Sequence, residues 1–520
     1  MIYGDWSKSE EELLERLLTD KEKEFINKTA PEWSAMERKQ KLYPAYHFTS
    51  PHGCLNDPNG LCFWQGYYHL FYQVNFGEGW MWAHAASRDL VHWKHLPRAI
   101  TPGVEKECYS GMILIEEDRA IAAYFGYKIG IMIAVSTDPL LVRWEKLNGG
   151  NPVIPLTSPD GKENYIAYDP CIWKNGDKYC LISGKYTQNE YSKSRERQGF
   201  LFESSDLLRW DYKGTLLEND LFALPDDDLA CPYFLPCGDR HVLLHFSHHS
   251  GPKTIVGDYD RARNRFVVTG GRNYTSSPSQ FGGLLAPSAF PSVSGDGTLT
   301  AIHNVYAVQN EPEGYYQNSI MSLPRTVSLA ENNKNEIETT PAKELQLLRV
   351  AERRVEKTDI LLKANESYEW EDVKGNTAEL IAELSPNKNA MIELRLMMSD
   401  DGSEYSAVRI YRDRGDSYCS AFAPGEDYCG AYETVVTLDT AYSSEKAFVR
   451  APETQSLYLK PDEKLNVHVF LDNSIIEVFV NKKVALTARV APVKDGNRIA
   501  IISRCADSTL EKLEAYELSL

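Results

Sequence analysis

The stretch that decides the fold is Leu55-Asn56-Asp57-Pro58-Asn59-Gly60, followed by Leu61-Cys62-Phe63-Trp64-Gln65-Gly66-Tyr67-Tyr68-His69-Leu70-Phe71-Tyr72-Gln73. Asp-Pro and Asn-Gly are both strong turn dipeptides, so the first part predicts a turn. The residues after it predict two short β-strands around Gln65-Gly66. A carboxylate fixed on a turn at a strand end can act as a nucleophile, and Asp57 is the candidate. The alternative is a turn aspartate that caps its own backbone.

The hairpin pattern of this stretch recurs along the chain. Similar strings with a central glycine stand at 173–181 and 235–243. A second unit, Ser87-Arg88-Asp89-Leu90-Val91-His92-Trp93, is echoed at 136–144 and 205–210. Short β units that repeat in this way predict a propeller between about residues 43 and 325. Because the spacing is uneven, the repeat itself does not give the number of blades.

Length, charge and cysteine usage limit the possible functions. A chain of 520 residues is too long for one compact core. Its net charge of -18 disfavours nucleic acid and anionic membranes as partners and favours a small neutral substrate. Ten cysteines without a CxxC pair, and an N-terminus without a basic and then apolar segment, predict reduced thiols and a cytoplasmic location. His245 and His249 could form a metal pair on one face of a strand, but a third ligand is not evident, so neither metal nor cofactor is expected.

The two ends of the chain differ from its middle. Residues 9–28 predict an amphipathic helix, which makes 1–42 an N-terminal helical arm. The stretch 326–350 is rich in Asn, Glu and Thr and predicts a connector. Beyond it the alternation of apolar and polar residues returns. Its clearest piece, residues 465–481, predicts two strands around an Asp-Asn turn.

The strings around Asp57 and around residues 465–481 resemble the signatures of glycoside hydrolase family 32, the invertases, fructanases and sucrose-6-phosphate hydrolases. The resemblance spans about residues 43 to 515. It implies an all-β fold with a five-bladed β-propeller at 43–325 and a β-sandwich at 351–520. The implied reaction is hydrolysis of a β-fructofuranoside with retention, which uses two carboxyl groups about 5 Å apart. The expected partner is therefore a small carbohydrate, and the oligomeric state stays open.

The resemblance assigns roles to two aspartates. Asp57 would be the nucleophile. Asp169, in Tyr168-Asp169-Pro170, would bind the fructosyl hydroxyls and stabilise the transition state. Tyr168 stands where the family has an arginine. Its presence removes a cation that would lower the pKa values of the neighbouring carboxylates.

The third carboxyl group of the family is missing from the expected place. In the string 226–234, Ala230 stands where the family has the acid/base glutamate, and alanine cannot transfer a proton. Losing acid/base catalysis typically costs about 10²–10⁴ in rate. Three explanations are open: a deliberate Glu→Ala change that traps a substrate complex, a natural chain that uses another acid, or a chain that is not a hydrolase. Asp228 is the nearest candidate acid, since residues two apart on a strand share a face. Glu107 is the second.

Further pocket residues follow from the matched strings. Asn56 and Gln73 would hydrogen-bond the fructosyl hydroxyls, Ser110 would line the fructosyl site, and Trp82 would form an apolar wall against the sugar. Tyr168 and Asp228 are also expected among the substrate-binding residues. Sucrose, sucrose phosphate and short fructo-oligosaccharides are the expected substrates. Two other functions fit the same scaffold. One is altered chemistry on another furanoside or by fructosyl transfer, and the other is binding of fructosides by a protein with impaired catalysis.

Overall fold

The computed structural model describes residues 8–273, 283–307, 314–387, 389–412, 432–446, 453–460 and 463–520. Within these ranges the strands form seven sheets, five from strands up to Pro341 and two from strands that begin at Arg349. The expected all-β fold, a propeller followed by a sandwich, is confirmed.

The N-terminal arm contains several short helices. They are α1 (Lys8–Leu17), α2 (Asp20–Glu24), a π-helical turn (Phe25–Thr29) and α3 (Ala30–Glu37). Thr19 and Glu22 form a capping box that starts α2, so the single helix predicted for 9–28 is interrupted there. Leu14 and Leu18 are buried against the first two sheets, which anchors the arm. In the described part of the chain, no helix combines the length and apolar character needed to cross a membrane.

The first three sheets follow one another along the chain. The first contains β1 (Cys54–Trp64), β2 (Tyr67–Asn75), β3 (Trp80–Ser87) and β4 (Trp93–Ile100). The second contains β5 (Cys108–Ile115), β6 (Ala120–Gly126), β7 (Gly130–Ser136), β8 (Glu145–Lys146) and β9 (Ile154–Pro155). The third contains β10 (Pro170–Asn175), β11 (Lys178–Gln188), β12 (Arg195–Ser204) and β13 (Asp211–Thr215).

Two further sheets complete the propeller. The fourth contains β14 (Leu217–Glu218), β15 (Ala230–Cys237), β16 (Arg240–Ser247), β17 (Gly251–Asp260) and β18 (Arg265–Asn273). The fifth contains β19 (Leu284–Pro291), β20 (Leu299–Val305), β21 (Ile320–Met321), β22 (Arg325–Leu329) and β23 (Ile337–Pro341). One edge strand of each sheet, β1, β5, β10, β15 or β19, contacts the corresponding strand of the next sheet, and β19 contacts β1. These five inner strands therefore close a ring, which is the axis of a five-bladed propeller.

Four of the inner strands begin with an irregular register. The shifts lie between Leu55 and Pro58 in β1, and between Cys108 and Gly111 in β5. Equivalent shifts stand at the starts of β15 and β19. The turn predicted at 55–60 is thus wrong, because the Asp-Pro and Asn-Gly pairs produce bulges within a strand. Bulges re-aim side chains at the rim of a closed sheet, and here they direct residues toward one end of the ring.

The repeated Ser-Asp-Trp unit is a turn shared by three blades. In each copy the indole nitrogen donates to the carbonyl three residues earlier: Trp93 to Leu90 at 2.9 Å, Trp144 to Leu141 at 2.8 Å, and Trp210 to Leu207 at 3.0 Å. The aspartate of each copy accepts hydrogen bonds from backbone N–H groups. The repeat detected in the sequence therefore marks the link between the third and fourth strands of these blades.

The C-terminal domain consists of two six-stranded sheets. One has the order β24 (Arg349–Leu362), β35 (Ser508–Leu518), β26 (Thr377–Ser385), β31 (Leu465–Asp472), β32 (Ile475–Val480) and β33 (Val484–Arg489). The other has the order β25 (Ser367–Lys374), β34 (Gly496–Arg504), β27 (Met391–Ser399), β28 (Ser406–Arg412), β29 (Tyr432–Asp439) and β30 (Glu453–Leu459). Residues of both sheets share one apolar core. The two strands predicted within 465–481 are β31 and β32, which form a hairpin.

The predicted connector at 326–350 was too long. β22 and β23 lie within it and complete the fifth blade, so a short 3₁₀ helix, Lys343–Leu348, makes the link. Both strands alternate buried with partly exposed residues near the outer edge of the blade. Their polar composition therefore resembles that of a loop.

A buried charged network joins the two domains. His47 of the propeller contacts Asp472 Oδ2 at 2.8 Å through Nδ1 and Glu477 Oε1 at 3.2 Å through Nε2. Arg325 Nη2 lies 2.7 Å from Glu477 Oε2. Glu477 also accepts the backbone N–H of Leu323 at 2.8 Å. The β31–β32 hairpin thus binds the propeller through its carboxylates.

Candidate active site

A cavity of about 460 Å³ opens at the end of the ring where the inner strands begin. The bulges at the starts of β1, β5, β15 and β19 each contribute residues to its wall, as does the chain just before β10. Its lining consists of Cys54, Leu55, Asn56, Asp57, Gln73, Trp80, Tyr109, Ser110, Tyr168, Asp169, Cys231, Phe246, His248, Leu285, Tyr306, Ala307, Gln317, Asn318 and Ser319.

Asp57 and Asp169 meet at the base of this cavity. Cys231 Sγ lies 3.7 Å from Asp57 Oδ2 and 3.5 Å from Asp169 Oδ2, so one thiol reaches both carboxylates. Asp57 Oδ2 also accepts the Ser110 hydroxyl at 2.6 Å. Asp169 Oδ2 accepts the backbone N–H of Cys231 at 3.0 Å. Strands from four blades therefore hold the two carboxyl groups in a fixed arrangement.

The electrostatics of the two carboxyl groups follow from their burial. Burial raises the pKa of Asp57, and the hydrogen bond from Ser110 acts in the opposite direction. Burial, with the neighbouring charge of Asp57, raises the pKa of Asp169 to about 6 despite the N–H bond from Cys231. Burial also raises the pKa of the Cys231 thiol, which therefore stays protonated and can donate to the carboxylates. Both carboxyl groups therefore take up a proton at a higher pH than an exposed aspartate does.

A chain of hydrogen bonds orients the polar wall. Asn304 Nδ2 donates to Asn56 Oδ1 at 3.0 Å, and Asn56 Nδ2 donates to Gln73 Oε1 at 2.9 Å. Gln73 Nε2 donates to Ser110 Oγ at 2.8 Å, and Ser110 donates to Asp57. The predicted residues Asn56, Gln73 and Ser110 all line the cavity. Asn304, which the sequence analysis did not single out, fixes the start of this chain.

Trp82 does not form the wall that the sequence predicts. Its side chain is fully buried, and its indole nitrogen donates to the carbonyl of Tyr109 at 2.9 Å. Trp80, two residues earlier at the start of β3, lines the cavity instead. The difference arises because β3 runs from the open end of the ring into the blade, which places Trp82 one layer deeper.

Tyr168, which the resemblance sets in the place of an arginine, lines the cavity. The Nζ of Lys185 lies 3.8 Å from the centre of the Tyr168 ring, within the range of a cation–π contact. Phe125 packs on the same ring, with 4.7 Å between centroids. The positive charge of Lys185 is therefore close to the site, but Tyr168 rather than Lys185 lines the cavity.

Neither position 230 nor position 228, the two considered first for the acid/base group, lines the cavity. Ala230 is 1% exposed, does not line the cavity, and packs with Cys231, Phe246 and Leu285 in an apolar cluster. Asp228 is also buried away from the cavity wall, which corrects its prediction as a substrate-binding residue. Its carboxylate accepts the backbone N–H of His248 at 3.1 Å, and its Oδ2 lies 2.7 Å from His248 Nδ1.

The histidines of this region separate into different environments. His248 lines the cavity, with 46% of its side chain exposed. His245 is fully buried, and its Nε2 lies 3.2 Å from Arg197 Nη1. His249 is exposed and contacts Arg195. The suggested metal pair of His245 and His249 is thus not formed. Over the described ranges, no three His, Cys, Asp or Glu side chains cluster as a metal site.

Glu107, the second candidate acid, stands outside the cavity lining. Its carboxylate accepts the hydroxyl of Tyr109 at 3.1 Å. The structure therefore brings Asp57, Asp169, Asn56, Gln73, Ser110 and Tyr168 together, and it adds His248, Trp80 and Asn304. The pairing of Asp228 with His248 depends on how β15 lies beside β16, which the sequence pattern does not reveal.

Comparisons with known proteins agree with this arrangement. The family model described as Glycosyl hydrolases family 32 N-terminal domain matches residues 47–341, and the model of the family 32 C terminal matches residues 344–517. Sucrose-6-phosphate hydrolase of Zymomonas mobilis is 28% identical over 500 residues, covering 87% of this chain and 88% of that protein.

Solved structures share the architecture. Fructan 1-exohydrolase IIa from Cichorium intybus has a TM-score of 0.77 at 21% identity, covering 92% of this chain and 97% of that one. Sucrose-6-phosphate hydrolase from Lactobacillus gasseri has a TM-score of 0.72 at 21% identity, covering 99% and 100%. The two family models together span nearly the whole propeller and sandwich. The chain therefore belongs to glycoside hydrolase family 32 and is a glycosidase of the β-fructofuranosidase type.

Proposed function

We propose that the protein hydrolyses a β-fructofuranoside with retention of configuration, with Asp57 as the nucleophile and Asp169 as the transition-state stabiliser. The observation that carries this proposal is the pair of buried carboxyl groups at the base of the cavity, both within reach of the Cys231 thiol. Ala230 occupies the place of the usual acid/base glutamate.

The proposed reaction has two steps. The Asp57 carboxylate attacks the anomeric carbon of the fructosyl unit, and the bond to the leaving group breaks. Water then hydrolyses the fructosyl-enzyme and frees Asp57. Asp169 stabilises the positive charge that develops on the ring. Asn56 and Gln73, oriented by their hydrogen-bond chain, bind the fructosyl hydroxyls.

Sucrose, sucrose phosphate and short fructo-oligosaccharides are the proposed substrates. A cavity of about 460 Å³ suits a small oligosaccharide. The relatives support the same range, since the aligned protein of Zymomonas mobilis is a sucrose-6-phosphate hydrolase. A structure of the Cichorium intybus exohydrolase contains 1-kestose.

A second candidate function is binding of fructosides without turnover. Ala230 favours it, because a site that lacks a general acid can hold a sugar but cleaves an ordinary glycoside slowly. The two candidate functions differ in whether free fructose is produced. Hydrolysis yields free fructose in proportion to time, whereas a binding protein only lowers the concentration of free sugar.

The test is fructose release from sucrose, sucrose 6-phosphate and 1-kestose by the wild type, Asp57→Asn and the control Asp177→Asn. Asp177 is exposed in the turn between β10 and β11, away from the cavity. We expect turnover by the wild type and the control and none by Asp57→Asn. NMR of the first product should show the β-anomer. Sugar binding without release by the wild type would instead support the second function.

A further inference from the structure

We propose that the preferred substrates of this site are aryl β-fructofuranosides, in which the fructosyl unit is joined to the oxygen of a phenol. This inference rests on the proposed fructosidase function. It narrows the substrate class from fructosides in general to those whose leaving group departs without taking a proton from the protein. Two features carry it, the residue at position 230 and the side chains packed around that residue.

Position 230 marks the side of the cavity where the leaving group lies. In a retaining glycosidase the acid/base group protonates the oxygen of the leaving group, so its side chain stands next to that group. Here the position holds Ala230, which is 1% exposed and has no proton to transfer. The side chains that pack around Ala230 and also line the cavity are therefore those that a leaving group meets.

Those side chains are apolar and aromatic. Ala230 packs with Cys231, Phe246 and Leu285, and the ring of Tyr306 packs against the same cluster. Phe246, Leu285 and Tyr306 line the cavity, and together they are called the apolar wall. A flat aromatic ring gains more from such a wall than a sugar ring does. The reason is that its apolar surface leaves water without any hydroxyl group losing a hydrogen bond.

The acidity of a phenol matches a site with alanine at position 230. The phenol of tyrosine has a pKa of about 10, so a phenolate is a stable anion that departs without being protonated. The alcohol group of a sugar is a far weaker acid and departs as an alkoxide unless a group protonates it. Losing that protonation typically costs about 10²–10⁴ in rate. Ala230 should therefore slow the cleavage of sucrose much more than that of an aryl fructoside.

A phenol also fits this cavity better than an anionic leaving group. Asp57 and Asp169 lie together at the base of the cavity, so a phosphate would bring charge of the same sign toward two carboxyl groups. Phe246 and Leu285 in the apolar wall have no polar side-chain atom to bind a phosphate oxygen. A neutral phenyl ring meets neither obstacle.

Two other ionisable groups in the lining, Cys231 and Tyr168, are weak proton donors near neutral pH. Burial raises the pKa of the Cys231 thiol, and the charge of Asp169 raises the pKa of the Tyr168 phenol. His248 also lines the cavity, and its Nδ1 lies 2.7 Å from Asp228 Oδ2. The dependence of the rate on the leaving group measures whether His248 or any other group protonates the leaving oxygen.

The proposed reaction balances without an acid from the protein. The Asp57 carboxylate attacks the anomeric carbon, the bond from that carbon to the phenol oxygen breaks, and the phenolate carries away the electron pair. Water then attacks the fructosyl-enzyme, its proton passes to the solvent or to the phenolate, and Asp57 is freed as a carboxylate. An aryl fructoside and water thus give fructose and a phenol.

The first test compares leaving groups on the wild-type protein. Phenyl and nitrophenyl fructosides release phenols, and benzyl fructoside is the matched control, because it carries the same ring on an alcohol. We expect kcat/KM for the phenyl fructoside to exceed the values for sucrose and benzyl fructoside by about 10²-fold or more. The nitrophenyl fructoside should be faster still, since its phenol is the stronger acid.

The second test examines the apolar wall. Tyr306→Ala removes an aromatic ring from it, so kcat/KM for the phenyl fructoside should fall roughly tenfold, with a smaller loss on sucrose. Tyr306→Phe keeps the ring and should restore most of the lost rate. The control Tyr191→Ala changes a side chain that is 94% exposed and should match the wild type. Thermal melting of each variant reports whether it folds.

The outcomes distinguish the substrate class from the function itself. A sucrose or benzyl fructoside kcat/KM within about tenfold of the phenyl fructoside value would overturn the preference, because a group of the protein would then be protonating the leaving oxygen. Equal losses on the phenyl fructoside and sucrose in a folded Tyr306→Ala would also overturn it. Fructose release from sucrose but not from the phenyl fructoside would overturn it while the fructosidase function stood. Absence of fructose release from every substrate would contradict the proposed function.

Discussion

Ala230 allows a test of where the proton comes from. Its methyl group is enclosed by Cys231, Phe246 and Leu285, so a longer polar side chain must enter an apolar cluster. If position 230 is a vacant acid site, Ala230→Glu should raise kcat/KM for sucrose by roughly 10²–10⁴-fold. It should also lower the free energy of unfolding by about 1–3 kcal/mol, because it buries a polar group. Sucrose kinetics and denaturant unfolding measure the two effects.

The matched control for this variant is Ala230→Gln, which has a similar size but no acidic proton. A gain of 10² or more on sucrose in Ala230→Glu only, without a gain on the nitrophenyl fructoside, would mark position 230 as a vacant acid site. A similar change in both variants would instead mean that the glutamate supplies no proton.

Asp57 and Asp169 determine how activity responds to acid. Burial raises the pKa of Asp57 above its usual range, and that of Asp169 rises to about 6. A protonated nucleophile cannot attack, so kcat/KM for a nitrophenyl fructoside should fall as the pH drops through these raised values. Because Asp57 and Asp169 interact, the fall in kcat/KM at low pH reports the protonation of both groups together.

The variant Ser110→Ala tests whether protonation of Asp57 causes the fall in kcat/KM at low pH. The Ser110 hydroxyl bonds to Asp57 at 2.6 Å and lowers the pKa of that carboxyl. Its removal should therefore move this fall to higher pH. An unchanged pH dependence in Ser110→Ala, measured on the same substrate, would contradict the assignment of Asp57 as the titrating nucleophile.

The inner strands are held together by the phenol of Tyr233. Its hydroxyl donates to the carbonyl of Gly111 in β5 at 3.0 Å and accepts the N–H of Gly60 in β1 at 3.0 Å. Ser288 Oγ of β19 lies 2.8 Å away. Tyr233→Phe leaves buried backbone groups without this partner, so we expect a loss of about 1–3 kcal/mol in the free energy of unfolding.

Denaturant unfolding of Tyr233→Phe beside Tyr191→Phe tests this role. Tyr191 is 94% exposed, and its variant should match the wild type. Equal stability of both variants would mean that water or a shifted backbone replaces the phenol at the centre of the ring.

Elements that depend on local sequence were predictable. The hairpin around Gln65-Gly66 formed as expected, and the repeated Ser-Asp-Trp unit marks the same turn in three blades, since a few neighbouring residues determine each of them. The bulges at the strand starts were not predictable, because Asp-Pro and Asn-Gly also favour free turns. The depth of a residue along β3, which brings Trp80 rather than Trp82 to the cavity, was not predictable either.

Contacts between neighbouring strands around position 230 were also not predictable from the sequence. The sequence places Asp228 two residues before position 230, but the contacts of its side chain depend on the register of β15 against β16. That register brings His248 to Asp228 across 20 residues of sequence. A period-2 pattern places residues on a face and says nothing about the partner strand.

At the scale of the whole molecule, the two domains depend on the buried carboxylate of Glu477. It contacts Arg325 at 2.7 Å and His47 at 3.2 Å, and all three side chains are inaccessible to solvent. Glu477→Gln removes the carboxylate charge of a buried ion pair, and breaking such a pair typically costs about 3–5 kcal/mol. We therefore expect a marked fall in stability, with kcat/KM for sucrose unchanged at temperatures well below the melting transition.

The effect of Glu477 should depend on pH. Burial acts to raise the pKa of this carboxyl, but Arg325 and His47 outweigh it, so the pKa in the folded state lies below its usual value. The stabilisation is then complete above the ordinary glutamate pKa and is lost as the pH falls through the lowered one. The difference in the free energy of unfolding between the wild type and Glu477→Gln should become smaller at acidic pH. The exposed control Glu352→Gln should melt like the wild type at every pH. If Glu477→Gln did so too, the Glu477 carboxylate would not contribute to the stability of the contact between the domains.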